Sequence, residues 1–214
     1  MHFHNKSLEE IWHEVPPDYY QNGVKNNILQ KMWHSGKLRA TISLAPKDPK
    51  TILDVGCASG WFLSEIAKVY KQSKCTGIDV YDDAIAYGKK NYKKLELVTG
   101  DGHKIPFKKA SFDFIICNEV LEHVENPEKV LLEIKRVLKP GGVAVIEMDS
   151  GNFLFRAVWH WWTHMRRGVW KDAHIHVFNS EKLEKMIKKS GFKIEEKKFF
   201  NLSMAVAFKA VAKS

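Results

Sequence analysis

Between residues 51 and 148, short apolar runs bounded by Gly or Asp alternate with longer segments of helical spacing, a rhythm that leaves few folds open. Strands are expected at residues 51–55, 75–80, 95–99, 112–118 and 143–148. The first, second, fourth and fifth are almost continuously apolar, as strands in the middle of a sheet covered on both faces must be. Helices are expected at residues 61–70, 83–92 and 128–138. In the last of these Val130, Leu131, Ile134, Val137 and Leu138 share one face, Pro127 suits the first turn, and Pro140-Gly141-Gly142 ends the helix. This alternation predicts an α/β fold with a doubly wound, mostly parallel sheet.

The rhythm changes after the fifth strand. Residues 150–178 are rich in Trp and His and show no obvious strand. Ser180 is placed to cap a helix whose Leu183, Met186 and Ile187 face inward and whose stop is Gly191. Two strands, 192–199 and 204–211, then close the chain as an antiparallel hairpin turning at Asn201. Ahead of the sheet, helices are expected at 8–14 and 24–44. No Pro/Gly/Ser-rich linker divides the 214 residues, so one domain is expected over 1–214. Its parts are a helical N-terminal extension or lid (1–46), a cofactor-binding core (47–149), a substrate-side insertion (150–178) and a C-terminal helix and hairpin (179–214).

Several classes are set aside by composition. With 44% hydrophobic and 28% charged residues the chain has ordinary globular make-up, which excludes a disulfide miniprotein and a wholly disordered chain. The densest apolar stretch, residues 153–165, is broken by Arg156, His160 and His164 and is shorter than the ~20 residues a bilayer crossing needs. Residues 1–14 lack the apolar core of a secretory signal, so a cytoplasmic location is expected, with peripheral membrane contact as an extension of it. Cys57, Cys75 and Cys117 form no CxxC pair, so no metal site is expected. The net charge of +9 attracts anions, and from residue 180 to 214 nine Lys face four Glu. Either a solvated lysine-rich face or contact with nucleic acid or anionic lipid accounts for that excess. No aromatic-interleaved RNA-binding motif favours nucleic acid.

The sharpest local signal is Ile52-Leu53-Asp54-Val55-Gly56-Cys57-Ala58-Ser59-Gly60-Trp61-Phe62, an apolar strand running into a small-residue turn and a helix. In open α/β sheets the ligand crevice lies at the carboxyl ends of the strands, so this turn should form its floor. Asp79 ends the next strand 19 residues beyond Gly60, where a carboxylate accepts from both ribose hydroxyls. A dinucleotide fingerprint wants glycines at i, i+2 and i+5. Here those positions hold Gly56, Ala58 and Trp61, and an indole cannot stand in for the third glycine. Asp54 would repel a pyrophosphate but suits a cationic amine. The pocket therefore suits a nucleoside bearing positive charge, for which S-adenosylmethionine is the ligand.

Asp54-Val55-Gly56-Cys57-Ala58-Ser59-Gly60, Gly77-Ile78-Asp79, the segment Gly100-Asp101-Gly102-His103-Lys104-Ile105-Pro106-Phe107, the run from Phe112 to His123 and Leu138-Lys139-Pro140-Gly141-Gly142 stand in one order over residues 50–150. Together they resemble the motifs of class I S-adenosylmethionine-dependent methyltransferases of the small-molecule, ubiquinone/menaquinone-methylase type. The resemblance implies a seven-stranded Rossmann-like sheet with an antiparallel C-terminal strand, S-adenosylmethionine as cofactor and S-adenosylhomocysteine as product. It implies that Asp54 lies near the methionine amine, that Gly56, Cys57, Ala58 and Gly60 shape the turn, that Asp79 with Val80 meets the ribose, that Asp101, Gly102 and His103 meet the adenine, and that the Asn118 carbonyl faces the amino-acid end. Ala58 stands where the family usually has glycine.

Methyl transfer from a sulfonium needs alignment and desolvation, and a base only where the acceptor must lose a proton. His103, His123, His160, His164, His174 and His176 fall on expected loops at the carboxyl edge of the sheet. His174 and His176, flanking Ile175, are the candidate bases or substrate-orienting groups. His123 is a substrate-side candidate. Tyr19 and Tyr20 are placed to bring the extension over the cofactor. Residues 152–172 hold Trp159, Trp161, Trp162 and Trp170, four of seven Trp, beside Arg156, Arg166 and Arg167. Trp159, Trp161 and Trp162 are expected to wall an apolar acceptor or to anchor at headgroup depth. The expected activity is methyl transfer to a small, apolar or lipid-like molecule. An RNA or protein methyltransferase, or a non-catalytic binding module, is the alternative.

Overall fold

A computed structural model describes residues 14–165, 175–176 and 178–212. Seven strands form one sheet in the order β3-β2-β1-β4-β5-β7-β6. They are β1 (Thr51–Val55), β2 (Lys74–Asp79), β3 (Glu96–Thr99), β4 (Phe112–Asn118), β5 (Leu138–Asp149), β6 (Phe192–Phe200) and β7 (Ala205–Ala212). β1 through β5 pair in parallel, and β7 lies antiparallel between β5 and β6. The strand order reverses between β1 and β4, which opens the crevice at their carboxyl ends.

The helices are α1 (Tyr19–Asn26), α2 (Ile28–Leu44), α3 (Trp61–Val69), α4 (Asp82–Asn91), α5 (Pro127–Val137), α6 (Phe153–Met165) and α7 (Ser180–Lys189). One face of the sheet buries Leu53, Val55, Ile115 and Ile146 against Val130 and Ile134 of α5 and Leu183 and Ile187 of α7. The other buries Ile52, Phe114, Ile116 and Val145 against Leu44 of α2, Leu63 and Ile66 of α3 and Ile85 of α4. Each such side chain contributes about 1.5–3 kcal/mol when removed from water, so these two layers fix the register that aims the strand ends at the crevice.

Local departures from the expected elements have identifiable causes. The single helix expected over 24–44 is two, broken at Asn27, whose backbone is extended and whose side chain accepts from the amides of Leu29 and Gln30. An Asn that caps the second helix cannot also continue the first. The cap of α7 is Asn179 rather than Ser180: its Oδ1 accepts from Lys182 N at 2.9 Å, and Ser180 is already helical. Pro140-Gly141-Gly142 lies inside β5 rather than ending α5, where the pairing shifts register between Phe112/Leu138 and Phe114/Val143. The insertion, expected to show no strand, begins with the helix α6, capped by Asn152, whose Oδ1 accepts from Phe155 N at 2.7 Å. Only Glu14 of the helix expected at 8–14 falls within the described residues.

Candidate functional site

The turn after β1 holds three residues in the left-handed region, Gly56 (φ 76°), Ala58 (φ 48°) and Gly60 (φ 80°). The amides of Gly56 and Cys57 both donate to the Ile78 carbonyl, at 2.9 and 3.0 Å, which ties the turn to β2. A Cβ on Gly56 would lie 2.3 Å from Val120 Cγ2, so only glycine keeps the floor open. Ala58 accepts a left-handed backbone that costs an L-residue about 1–2 kcal/mol. Its amide donates to Asp79 Oδ2 at 2.7 Å, which holds it there. Asp79 Oδ1 accepts from Tyr81 N at 2.9 Å. Burial pushes the Asp79 carboxyl up, against those amide hydrogen bonds.

Over this floor lies a cavity of about 720 Å³. Tyr20, Gly56, Ala58, Asp79, Val80, Asp101, Gly102 and His103 stand on its wall. A smaller hollow of about 50 Å³ shares Tyr20, Gly56 and Ala58 with it and adds Asp54, Cys57 and Asn118. Gly60 lines neither and instead starts α3. Thus the expected cofactor residues other than Gly60 are brought together, divided between a large compartment and a small one.

Asp101 and His103 form a strap. Asp101 Oδ1 accepts from the His103 amide at 2.8 Å and lies 2.7 Å from its Nδ1, while His103 Nε2 accepts from Asn126 N at 3.2 Å. Because Nε2 accepts, the ring proton sits on Nδ1 and donates to Asp101. Desolvation raises the Asp101 carboxyl, but the His103 hydrogen bonds outweigh it and hold the group low. Both ring nitrogens are therefore engaged in positioning the β3 loop. The extension closes another side: Tyr81 Oη donates to the Val15 carbonyl at 3.1 Å, Val15, Pro16 and Pro17 line the cavity, and Ser59 Oγ donates to Gln21 at 3.4 Å. Tyr20 is edge-on to His34 at 5.5 Å, and burial first, then Glu119, raises its phenol. Tyr19 packs edge-on against Tyr20 at 5.4 Å, away from the cavity wall.

His123 is on the same cavity wall with Val120, Val124 and Ile175. His176 stands beside them: its amide donates to the Glu122 carbonyl at 3.1 Å and its Nε2 donates to the Val124 carbonyl at 3.0 Å. Trp161 is 47% exposed on α6 and is not on the cavity wall, and His160 on the same helix is exposed. His174 and Trp170, and the side chains of Trp159, Trp162 and His164, lie outside what is described.

The sequence reasoning missed a buried polar layer between α2 and the carboxyl end of the sheet. Lys37, with its side chain 5% exposed, places Nζ 2.6 Å from Glu119 and 3.7 Å from Glu147. Trp33 Nε1 donates to Glu119 at 3.4 Å. Burial would raise the Glu119 carboxyl, but Lys37 holds it at about 2. Glu147 is pushed up to about 8 by burial, Asp54 to about 8 and Asp149 to about 7. His34, Lys37 and Thr41, a polar stripe at i, i+3 and i+7 on the buried face of α2, were the available signal. Among the described residues no group of His, Cys, Asp and Glu is arranged to hold a metal ion.

The small hollow fits an amino-acid head group. Among the described residues neither buried Asn118 amide atom has a hydrogen-bond partner, and an ammonium and a carboxylate together supply the donor and the acceptor they lack. The large compartment offers Asp79 and Asp101 to hydroxyls and an amino group. S-adenosylmethionine has this distribution of groups.

The raised acids give a pH dependence. Asp54, Glu147 and Asp149 keep protons in the fold that the unfolded chain has lost above about pH 4. Their contribution is thus lost as pH rises through 7 and 8. His34, lowered to about 4 by burial, acts oppositely but only below about pH 6.5. Between pH 6.5 and 8.5, stability is expected to fall by about 1.4 kcal/mol per pH unit for each proton still held. Urea midpoints that stay level or rise over that window contradict this.

A family model described as a methyltransferase domain matches residues 30–197. Demethylmenaquinone methyltransferase from Staphylococcus aureus is 32% identical over 154 residues, covering 66% of this chain and 61% of that protein. Fatty-acid O-methyltransferase from Mycolicibacterium smegmatis is 32% identical over 119 residues, covering 55% of this chain and 42% of that protein. The chain thus spans only part of the length of these curated relatives. The crystal structure of an S-adenosylmethionine-dependent methyltransferase from Thermotoga maritima superposes with a TM-score of 0.73, covering 94% of this chain and 100% of that one at 20% identity, a likeness of fold.

Proposed function

This chain belongs to the S-adenosylmethionine-dependent methyltransferase family, and from that premise we propose that it methylates a small, largely apolar acceptor held in the cavity of about 720 Å³. The observation that carries the reading is the wall itself. Val15, Pro16, Pro17, Val120, Val124 and Ile175 line it beside Asp79 and Asp101. Apolar walls with few polar groups are what bind and desolvate a hydrophobic molecule. The names of the quinone and fatty-acid methyltransferases among the relatives point the same way.

When bound, the cofactor supplies an electrophilic methyl carbon and a thioether leaving group. The protein's part is to bind, orient and exclude water. Asp79 takes the ribose hydroxyls on lone pairs that Ala58 and Tyr81 leave free. Asp101, braced by His103, takes the adenine amino group. Asn118 and Asp54 take the amino-acid end, with Gly56, Cys57 and Ala58 giving it backbone access. Tyr20 and the segment Val15 to Pro17 close the cavity against solvent, which strengthens every electrostatic contact inside. Where the acceptor atom must lose a proton, His123 on the wall is the candidate base, with His174 and His176 as orienting groups.

Incubation with methyl-labelled donor and separate lipid, small-molecule and RNA extracts tests this. Label is expected in the organic-soluble fractions. Label in RNA or in protein would replace the reading with its macromolecular alternative.

A further inference from the structure

Eight of the large exposed apolar side chains belong to three neighbouring elements, while others, such as Val69 and Leu132, stand singly elsewhere. Phe153 is 87% exposed, and Leu154, Val158 and Trp161 follow it at i, i+4 and i+7 spacing as an outward stripe on α6. Ile28, Leu29 and Met32 are exposed on the first turns of α2, and Leu202 at the tip of the β6–β7 hairpin is 81% exposed. Side-chain hydrogen bonds knit these three elements together. Asn201 Nδ2 donates to the Trp33 carbonyl at 3.0 Å, Asn152 Nδ2 donates to the Ser203 carbonyl at 2.7 Å, and the Trp33 and Phe155 rings meet at 6.5 Å. Single exposed apolar residues are ordinary, but a patch assembled from three elements marks a contact surface.

Its charge selects the occupant. From Tyr19 to Leu44, α1 and α2 carry Lys25, Lys31, Lys37 and Arg39 and no acid, α6 carries Arg156 and no acid, and residues 201–204 carry no charge. Lys25, Lys31 and Arg156 are exposed. A second copy meeting the same face would bring these cations together without partners. A surface of anionic headgroups over an apolar interior instead satisfies both halves of the patch. No helix among the described residues is long and apolar enough to cross a membrane. We propose that the face made by α6, the start of α2 and the hairpin tip docks in the plane of an anionic lipid bilayer, with Phe153, Leu154, Met32 and Leu202 entering the headgroup boundary and Lys25, Lys31 and Arg156 pairing with lipid phosphate. The proposal is independent of the acceptor's identity.

Co-sedimentation of the full chain with vesicles of phosphatidylcholine alone, or of phosphatidylcholine with about one-third phosphatidylglycerol, tests it. Binding is expected only with phosphatidylglycerol, weakened about tenfold or more between about 0.05 and 0.5 M salt. Phe153→Ser with Leu202→Ser should weaken binding about tenfold at low salt. Lys31→Glu with Arg156→Glu should remove the preference for phosphatidylglycerol. These side chains are exposed, so unchanged thermal midpoints and unchanged S-adenosylhomocysteine affinity show that the variants fold. No sedimentation with phosphatidylglycerol at low salt overturns the proposal, as does variant binding equal to that of the parent. Self-association of the parent that the Phe153→Ser, Leu202→Ser variant abolishes would assign the face to a second copy instead.

Discussion

Replacing Lys37 with Met is expected to lower unfolding free energy by about 3–5 kcal/mol, a large share of what a domain this size possesses. Lys37 is the cation within reach of both Glu119, at 2.6 Å, and Glu147, at 3.7 Å. Met keeps the length and apolar stem of the side chain but removes the cation that holds Glu119 ionised, so that carboxyl must stay charged without its partner or take up a proton, and among the described residues neither Glu147 oxygen has a hydrogen-bond partner with which to compensate. The cost arises from the stranded charge rather than from a strong bond, because a buried pair recovers little more than its own desolvation. The triple change Lys37→Met, Glu119→Gln, Glu147→Gln should therefore regain most of the loss. Urea denaturation of the four proteins, the parent with Lys37→Met, the double Gln variant and the triple, closes the cycle. A Lys37→Met midpoint within about 1 kcal/mol of the parent would show that the carboxylates are hydrated or neutral and that the layer is not an ion pair.

That layer also shows where reading from the chain stops. The floor of the cavity was legible because its parts are local: Gly56, Ala58 and Gly60 lie in one turn, and Asp79 ends the next strand, whose place beside β1 follows from the alternation of strands and helices. Hydrogen bonds from Ala58 and Tyr81 to Asp79 are consequences of that short path. Trp33 and Glu119 are 86 residues apart, and Asn201 and Trp33 are 168 apart. Their meeting depends on how α2 docks on the sheet, which no periodicity states. Lys37 was hidden for a further reason: a lysine on a helix is ordinarily solvated, and only its alignment with His34, Thr41 and the apolar Leu44 marks it as buried. The break at Asn27 and the cap at Asn179 were missed because a side chain competing for backbone amides overrides the apolar pattern that continues on either side.

The Asp79 carboxylate offers the test that bears most directly on catalysis. Asp79→Asn is expected to weaken S-adenosylmethionine and S-adenosylhomocysteine alike by about 2–4 kcal/mol, roughly 30- to 1000-fold. Both carboxylate oxygens are committed: Oδ2 accepts from Ala58 N at 2.7 Å and Oδ1 from Tyr81 N at 2.9 Å. An amide has one oxygen, so its NH₂ must oppose one of those two N–H groups. If the amide turns its NH₂ towards Ala58, the hydrogen bond that holds a left-handed alanine is replaced by repulsion, and the turn opens. If it turns towards Tyr81, the start of α4 is disturbed instead. In either orientation the charge-assisted bonds to a ribose are lost, and the ribose is common to donor and product, which is why both ligands should suffer equally. Calorimetric titration of each ligand measures this, and the folded fraction from thermal melts separates weaker binding from general unfolding. Should Asp79→Asn bind both ligands as the parent does, the sugar lies elsewhere and the division of the cavity proposed here is wrong. Loss confined to S-adenosylmethionine would instead place the carboxylate near the sulfonium, moving Asp79 from holding the sugar to stabilising the charge that disappears on transfer.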